Sequence, residues 1–134
     1  MRNSSIFGGV AVLRDANPVL DNVLDLPQAA EFAPPDPGNG LLAGIKSLKL
    51  KGVKQGKVYV DSLINSNIAA GNIGKIDLCY ADLTNGSWPF GVAGKNLQGK
   101  VSYKDSDPTH KFTMKPGQLP PSWLDPTDLE IRLT

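Results

Sequence analysis

The stretch that most constrains the fold runs over residues 63–78 and reads LINSNIAAGNIGKIDL. Its apolar and β-branched residues stand in short segments, separated by small-residue corners at Gly71-Asn72 and Gly74-Lys75. Such segments are too short for helices, and β-branched residues favour extended backbone. Related text occurs at residues 41–50 and 92–103. The pattern therefore indicates short strands that turn at these corners and recur along the chain.

The recurrence has a regular spacing. The matched positions are Ile45, Ile73 and Leu97 after the corner, and Leu48, Ile76 and Val101 at the start of the following strand. The two sets share the same first interval, and their second intervals differ by a single position. A period in the twenties, built of short strands and glycine or asparagine corners, is typical of a β-solenoid. One such unit cannot bury its own apolar row, whereas stacked units bury a continuous one.

We predict an all-β fold: a short right-handed parallel β-solenoid of about three to four rungs, forming one domain over residues 1–134. Residues 3–12 are predicted to contain an earlier rung, because Asn3-Ser4-Ser5-Ile6 parallels Asn65-Ser66-Asn67-Ile68. The predicted core consists of the inward aliphatic residues of the rungs: Ile45, Leu48, Leu50, Ile68, Ile73, Ile76, Leu78, Leu97 and Val101.

Two segments depart from the repeat. Residues 17–40 are predicted to be an insert whose helical part lies within residues 17–32. Asn17-Pro18 combines an N-cap with a proline at the first helical position, and Pro27 limits this short helix to about two turns. A second helix that starts at residues 27–32 is an open alternative. Residues 104–134 are predicted to cap the last rung. Within that cap, we expect Trp123 to be largely buried.

Composition excludes several classes of protein. Fourteen basic and 13 acidic residues nearly balance, without long runs of like charge, so no nucleic-acid partner is predicted. No run of 18 apolar residues exists, so no membrane span is predicted. Cys79 is the only cysteine, which excludes an intrachain disulfide and a four-cysteine zinc site. The apolar run near the N-terminus is too weak for a signal peptide.

The aromatic residues Tyr59, Tyr80 and Trp88 are candidates for carbohydrate binding, although aromatics on solenoid corners more often cover the core. Asp15, Asp21 and Asp25 are candidate oxygen ligands for a metal such as Ca²⁺. These aspartates lack the alternating spacing of a calcium loop, and an outward helix face is the better explanation of Asp21 and Asp25.

Acid–base chemistry has few candidates. Asp77, Asp82, Asp105 and Asp107 are the carboxylates that a polysaccharide-cleaving enzyme would need in one outer groove. Turn capping is the competing interpretation for Asp105 and Asp107, which stand before Pro108. His110 is the only histidine and stands beside a turn, so an exposed loop position competes with any catalytic role. No cofactor is predicted.

Residues 65–78 resemble repeats of large bacterial surface and secreted proteins that form right-handed parallel β-helices and often read NS.I.AG.NIG.I.V.G. The matching positions are Asn65, Ser66, Ile68, Ala70, Gly71, Asn72, Ile73, Gly74, Ile76 and Leu78. Residues 88–133 resemble the C-terminal ends of such helices. The resemblance implies a structural or adhesive role at the cell surface or outside the cell, and it carries over no catalytic motif.

Three functional hypotheses follow. The leading one is a non-enzymatic structural or adhesive portion of an extracellular β-solenoid protein. Its expected partners are preceding solenoid rungs or a second chain at the N-terminal edge, and a glycan is a further candidate partner. The alternatives are a carbohydrate-binding module and a fragment of a polysaccharide-cleaving β-helix enzyme.

Overall fold

A computed structural model describes residues 1–11 and 25–133. Within these ranges the chain forms eight strands and two single-turn 3-10 helices, at Ala29–Glu31 and Ser122–Leu124. The strands are β1 (Arg2–Gly8), β2 (Gly44–Leu50), β3 (Val53–Gln55), β4 (Val58–Val60), β5 (Ile64–Cys79), β6 (Phe90–Lys104), β7 (Lys111–Met114) and β8 (Leu129–Leu133). The long strands β5 and β6 supply the centre of the main sheet.

The sheet is built outward from the parallel pair β5–β6. Strands β1 and β2 both lie along the other edge of β5, β1 beside its first half and β2 beside its second, and both are parallel to it. Beyond β6, β8 pairs in parallel with its first half and β7 pairs antiparallel with its second. Strands β3 and β4 form a separate hairpin. The prediction of an all-β chain with parallel strands is confirmed.

The pairing register follows the spacing seen in the sequence. Ile73 pairs with Ile45 on one side and with Leu97 on the other. One register shift separates this pairing from that of Lys75 with Lys100. Gln98 and Gly99 of β6 therefore stand opposite Gly74 of β5, as in a β-bulge. The extra residue of β6 explains why the sequence separation of paired residues on β5 and β6 is one residue longer after the bulge than before it.

Burial of the predicted core positions depends on how many strands flank them. Those in the middle of the sheet are buried, namely Ile68, Ile73, Ile76, Leu78 and Val101. Ile45, Leu48 and Leu50 are only half-buried because β2 pairs with one strand. Leu97 is half-buried too. It lies on β6 between the segment paired with β8 and the segment paired with β7.

The inward residues of β5 do not keep the two-residue period of a flat strand. Ile68, Ala70, Ile73, Ile76 and Leu78 all belong to one buried cluster, with steps of two, three, three and two residues. After each three-residue step, the positions that face the core are those that would have faced outward if the two-residue period had continued. These two steps contain Gly71-Asn72 and Gly74-Lys75, the corners indicated by the sequence. The glycines thus lie where the strand changes face.

Part of the predicted insert covers the outer face of the sheet. Leu26 and Phe32 pack on Ala69 and Ala93, which are neighbours on β5 and β6. The backbone of the segment is held because Ala11 N–H donates to Glu31 O at 2.7 Å and Ala33 N–H donates to Gly9 O at 2.8 Å. This cover buries the outer side of the first halves of the strands.

The described part of the insert, residues 25–40, contains less helix than predicted. Most of the predicted helical part of the insert, residues 17–32, lies outside the described residues, which resume at residue 25. From there on, the only helical turn of the insert is the 3-10 turn at Ala29–Glu31. It ends at Phe32, whose backbone is extended and bridges to Val10. The helical turn therefore stops where Phe32 pairs with Val10.

Two adjacent residues of the 3-10 turn at Ser122–Leu124 pack against the core. Leu124 is buried, whereas Trp123 is half-buried, so the expectation that Trp123 is largely buried is wrong. The Trp123 ring stacks on His110, with ring centroids 4.8 Å apart, and packs beside Tyr103 and Phe112. Trp123 keeps a solvent-exposed side because it lies over the rim of the aromatic cluster.

Candidate functional site

An open groove of about 820 Å³ lies on the outer face of the second half of the main sheet. Its floor crosses four strands in register, because Lys49 of β2 pairs with Asp77 of β5, Asp77 pairs with Ser102 of β6, and Ser102 pairs with Thr113 of β7. Residues paired in this way point to the same face of a sheet. The four side chains therefore form one row across the sheet.

A second row runs beside the first. It is displaced by two residues on every strand, toward the C-terminal end of β5. It consists of Lys51, Cys79, Lys104 and Lys111, and every member lines the groove. Cys79 pairs with Lys104, and Lys104 pairs with Lys111. Outward orientation follows from alternation, because Leu48, Leu50 and Leu78 occupy the intervening inward positions.

The groove carries excess positive charge. Among the described residues that line it, Asp77 is the one carboxylate, and it is held by Lys75 Nζ at 3.1 Å and by a hydrogen bond that Ser102 Oγ donates. The hydrogen bond from Ser102 lowers the pKa of Asp77, and the ammonium of Lys75 lowers it further. The four lysines of the two rows are exposed and make no ion pair with any residue that the structure describes.

Two of the three predicted carbohydrate-binding aromatics meet at the end of this groove. The rings of Tyr59 and Tyr80 stack with centroids 4.2 Å apart and planes 5° from parallel. Lys54 Nζ lies 5.9 Å from the centroid of the Tyr59 ring. Trp88 does not line the groove and stands, partly exposed, before β6. The structure therefore brings Tyr59 and Tyr80 together and leaves Trp88 apart.

The backbone at Tyr80 is unusual. Its φ of 59° lies in the left-handed region, which a tyrosine seldom adopts. The ring contacts the backbone of Gly52 so closely that a Cβ on Gly52 would lie 2.5 Å from Tyr80 Cδ2. Tyr80 N–H donates to Lys104 O at 2.8 Å, which anchors the residue to β6. Tertiary contacts thus hold the Tyr80 ring at the groove despite the backbone strain.

Sequence reasoning missed the four groove lysines as a set. Lysines that alternate with aliphatic residues, as in residues 45–51, usually form the solvated face of a strand and indicate no site by themselves. The usable signal was the repeat spacing, which aligns residues 49, 77 and 102 and, two residues on, residues 79 and 104. The lysine on β7 joins through an antiparallel strand that the repeat does not predict.

Of the predicted acid–base residues, Asp105 and Asp107 cap a turn. Asp107 N–H donates to Asp105 Oδ1 at 2.7 Å, and Thr109 N–H donates to Asp107 Oδ1 at 2.8 Å. The second oxygen of Asp105 accepts the Tyr103 hydroxyl at 2.9 Å and lies 3.3 Å from His110 Nδ1. His110 is therefore half-buried between Asp105 and Trp123 rather than free in a loop.

Asp61, Asp82 and Asp105 follow the ends of β4, β5 and β6, and their carboxylates are close enough to interact electrostatically. Partial burial raises the pKa of Asp61, and the nearby charges of Asp82 and Asp105 raise it further. The same region raises the pKa of the Tyr103 hydroxyl well above its ordinary range, through burial first and then its hydrogen bond to Asp105. Ionised Asp61 is therefore repelled by its neighbours at neutral pH.

Replacing Asp61 by asparagine is expected to stabilise the protein at pH 7. A carboxyl with a raised pKa contributes stability that is complete at low pH and is lost as pH rises through the folded-state pKa. The advantage of Asp61→Asn should therefore disappear below about pH 4, where the carboxyl is protonated in both folded and unfolded chains. Urea unfolding at several pH values measures this. Asp125→Asn is the charge-matched control, and an equal gain in both variants would contradict the repulsion.

The predicted metal ligands receive no support from the described residues. Asp15 and Asp21 lie outside the described ranges, and Asp25 is half-buried. Within residues 1–11 and 25–133, no group of three or more His, Cys, Asp or Glu side chains is arranged to hold a metal ion. In the same ranges, no helix has the length and apolar character required to cross a membrane.

Comparison with protein-family models, with curated proteins and with solved structures finds no match to this chain. The resemblance to bacterial β-helix repeats therefore remains a prediction that depends on the residues of the repeat.

Proposed function

We propose that this chain is a segment of a right-handed parallel β-solenoid with about three to four rungs, serving as a non-enzymatic structural or adhesive part of a protein at the cell surface or outside the cell. The observation that supports it best is the stacking of equivalent residues across successive parallel strands. Ile6, Ile68, Val92 and Ile131 occupy one such column, on β1, β5, β6 and β8. A solenoid rung requires this repeated register.

Polar side chains at the corner support the same proposal. Asn96 Nδ2 donates to Asn72 Oδ1 at 3.2 Å, and Asn72 Nδ2 donates to Leu42 O at 3.2 Å. The two asparagines thus link the corner of β6 to that of β5, and that of β5 to the segment before β2. Asparagine ladders of this kind stabilise stacks of parallel strands.

The edge formed by β1 and β2 is the proposed attachment surface. Each of these strands pairs with β5 only, so the outward backbone N–H and C=O groups have no strand partner among the described residues. The apolar residues of this edge are less buried than their neighbours on β5: Ile6 is 39% exposed, whereas Ile68 is fully buried. A preceding rung or a second chain would pair with this edge and cover its apolar row.

Duplicating one rung tests the solenoid. Ile68 and Val92 are equivalent positions on adjacent strands, so a second copy of residues 66–89 inserted before Phe90 preserves the register. In a solenoid each rung contacts only its neighbours, so the longer chain should fold cooperatively and melt no lower than the original. Circular dichroism and thermal melting measure both quantities. The control is an insertion of the same residues in scrambled order.

Failure of the duplicated chain to fold, when the original folds under the same conditions, would show that the sheet is closed and not repetitive. The location is tested separately, with an antibody to the chain on intact cells that make the protein. Staining before permeabilisation is expected. Staining that requires permeabilisation would contradict a cell-surface role.

A carbohydrate-binding module is the second candidate, favoured by the position of the Tyr59–Tyr80 pair at the groove. A glycan array tests it. The polysaccharide-cleaving alternative is tested by an activity screen on uronate polymers. Bond cleavage there would replace the non-enzymatic proposal.

A further inference from the structure

We propose that the groove on the outer face of β2, β5, β6 and β7 binds an anionic polysaccharide, a polyhydroxylated chain that bears carboxylate or sulfate groups. The inference deepens the second candidate function by naming the charge class of the ligand. It does not depend on the solenoid proposal, because it requires only the groove as the structure shows it.

The charge of the groove supports an anionic ligand. Lys49, Lys51, Lys104 and Lys111 face the same open space, against the single carboxylate of Asp77 among the described lining residues. The whole chain carries a formal charge of only +1, so this surface concentrates positive charge far beyond the average. Clustered positive charges raise the local concentration of an anionic ligand and speed its association.

The dimensions of the groove suit an extended chain. Neighbouring strands lie about 4.8 Å apart, so a row across four strands spans roughly 14 Å, and the two rows are about 7 Å apart. The groove is open rather than enclosed, so an extended polymer has access to the two rows. A small anion would engage one or two of these lysines, whereas a repeating chain would engage all four.

The polar groups between the lysines favour a sugar chain over a phosphate chain. Ser102 and Thr113 place hydroxyls on the floor, and Asp77 offers carboxylate oxygens that accept hydrogen bonds from hydroxyl groups. A polyphosphate backbone has no hydroxyl hydrogens to donate and would be repelled by Asp77. A sugar chain presents hydroxyls to the floor while its acidic groups approach the lysines.

The aromatic pair argues against single-stranded nucleic acid. Sequence-tolerant binding of single strands relies on aromatic faces on which bases stack. Tyr59 and Tyr80 turn one face of each ring toward the other, and Lys54 Nζ lies near the ring of Tyr59. The pair therefore forms an amphipathic wall at the end of the groove rather than an open stacking platform.

Binding should be measured by calorimetry on the whole chain with four polymers: polygalacturonate, heparin, neutral dextran and an oligothymidylate. We expect saturable binding of polygalacturonate, heparin or both, weakening as salt is raised. Carboxylated and sulfated polymers share the required chemistry, and their relative affinities identify which group the groove prefers. Dextran should not bind.

Two double variants locate the site. Lys104→Gln/Lys111→Gln removes two groove charges and should weaken binding of the acidic polymer about tenfold, because two exposed ion pairs with the polymer are lost. Lys46→Gln/Lys115→Gln makes the same charge change at exposed lysines that do not line the groove. Its affinity should stay within about twofold of the unaltered chain. Thermal melting of both variants checks that the fold is retained.

Cys79 provides an independent readout. It is the only cysteine of the chain and lies in the second row of the groove, next to Lys104. A polymer bound in the groove should therefore slow alkylation of Cys79 by iodoacetamide, and neutral dextran should leave the rate unchanged.

Any one of three results with the acidic polymers would overturn the inference. They are equal loss of binding in the two double variants, unchanged Cys79 alkylation at saturating acidic polymer, and no binding of either acidic polymer. Tighter binding of oligothymidylate than of the acidic polysaccharides would also overturn it and assign the groove to nucleic acid. Binding of dextran in the groove without the acidic polymers would keep the carbohydrate-binding function and remove the charge class proposed here.

Discussion

Truncating Ile76 to alanine is expected to lower the free energy of unfolding by about 2–5 kcal/mol, the usual cost of removing a buried aliphatic side chain. Ile76 is fully buried and stands between Leu48 of β2 and Val101 of β6 in the same column. Neighbouring strands on both sides limit how far the cavity can collapse. Urea unfolding followed by circular dichroism measures the loss.

Leu48→Ala is the matched control for this substitution. Leu48 occupies the same column on the edge strand β2 and is only half-buried, so its truncation leaves a site that water and neighbouring side chains can fill. The loss should therefore be clearly smaller than for Ile76→Ala. Losses of the same size in both variants would contradict a core centred on β5 and open at β2.

Substituting Gly99 by alanine is expected to destabilise the protein by about 3 kcal/mol or more, at the upper end of the cost of overpacking. A Cβ on Gly99 would lie 2.0 Å from Gly74 O and 2.7 Å from Gly74 C. Both are backbone atoms of the adjacent strand, which cannot move aside without separating β5 from β6. The midpoint of urea unfolding and the strand signal in circular dichroism measure the effect.

Gly8→Ala is the control for Gly99→Ala. Gly8 also lies in a strand, but a Cβ there would meet only Ala70 Cβ at 3.8 Å, an ordinary contact. Reducing the backbone freedom of the unfolded chain should make this variant neutral or more stable by up to about 1 kcal/mol. If Gly99→Ala were as well tolerated as Gly8→Ala, the close approach at the bulge would be wrong.

The repeat spacing predicted the strand register because stacking allows one solution. Apolar residues at equivalent positions must align for the row to be buried, so the intervals of the repeat translate directly into the pairs Leu48–Ile76 and Ile73–Leu97. The same spacing could not predict burial at the edges. Ile45 and Leu97 occupy the same position of the repeat as buried Ile73, but their exposure depends on which strands flank them.

The groove as a whole could not be predicted from the sequence, because it also includes elements that the repeat does not relate to one another. Its lysines lie on β2, β6 and β7 and just after β2, and its aromatic wall joins the β3–β4 hairpin to the residue after β5. Nothing in the local pattern indicates that Tyr59 meets Tyr80. The outer cover was equally hidden, since packing of Phe32 on Ala69 and Ala93 joins segments that share no repeat.

The order of pairing along the chain has a consequence for folding. Strand β1 pairs with β5 across a long loop, as between Ile6 and Ile68, whereas β6 pairs with β7 across a much shorter one, as between Val101 and Met114. Closing the longer loop costs about 1.4 kcal/mol more in chain entropy, so the β6–β7 hairpin should form first. During synthesis at roughly 5–20 residues per second, β1 therefore waits several seconds for its partner. Its residues Arg2, Ser4 and Ser5 are polar, which lowers the risk that this strand pairs with a neighbouring nascent chain while it waits.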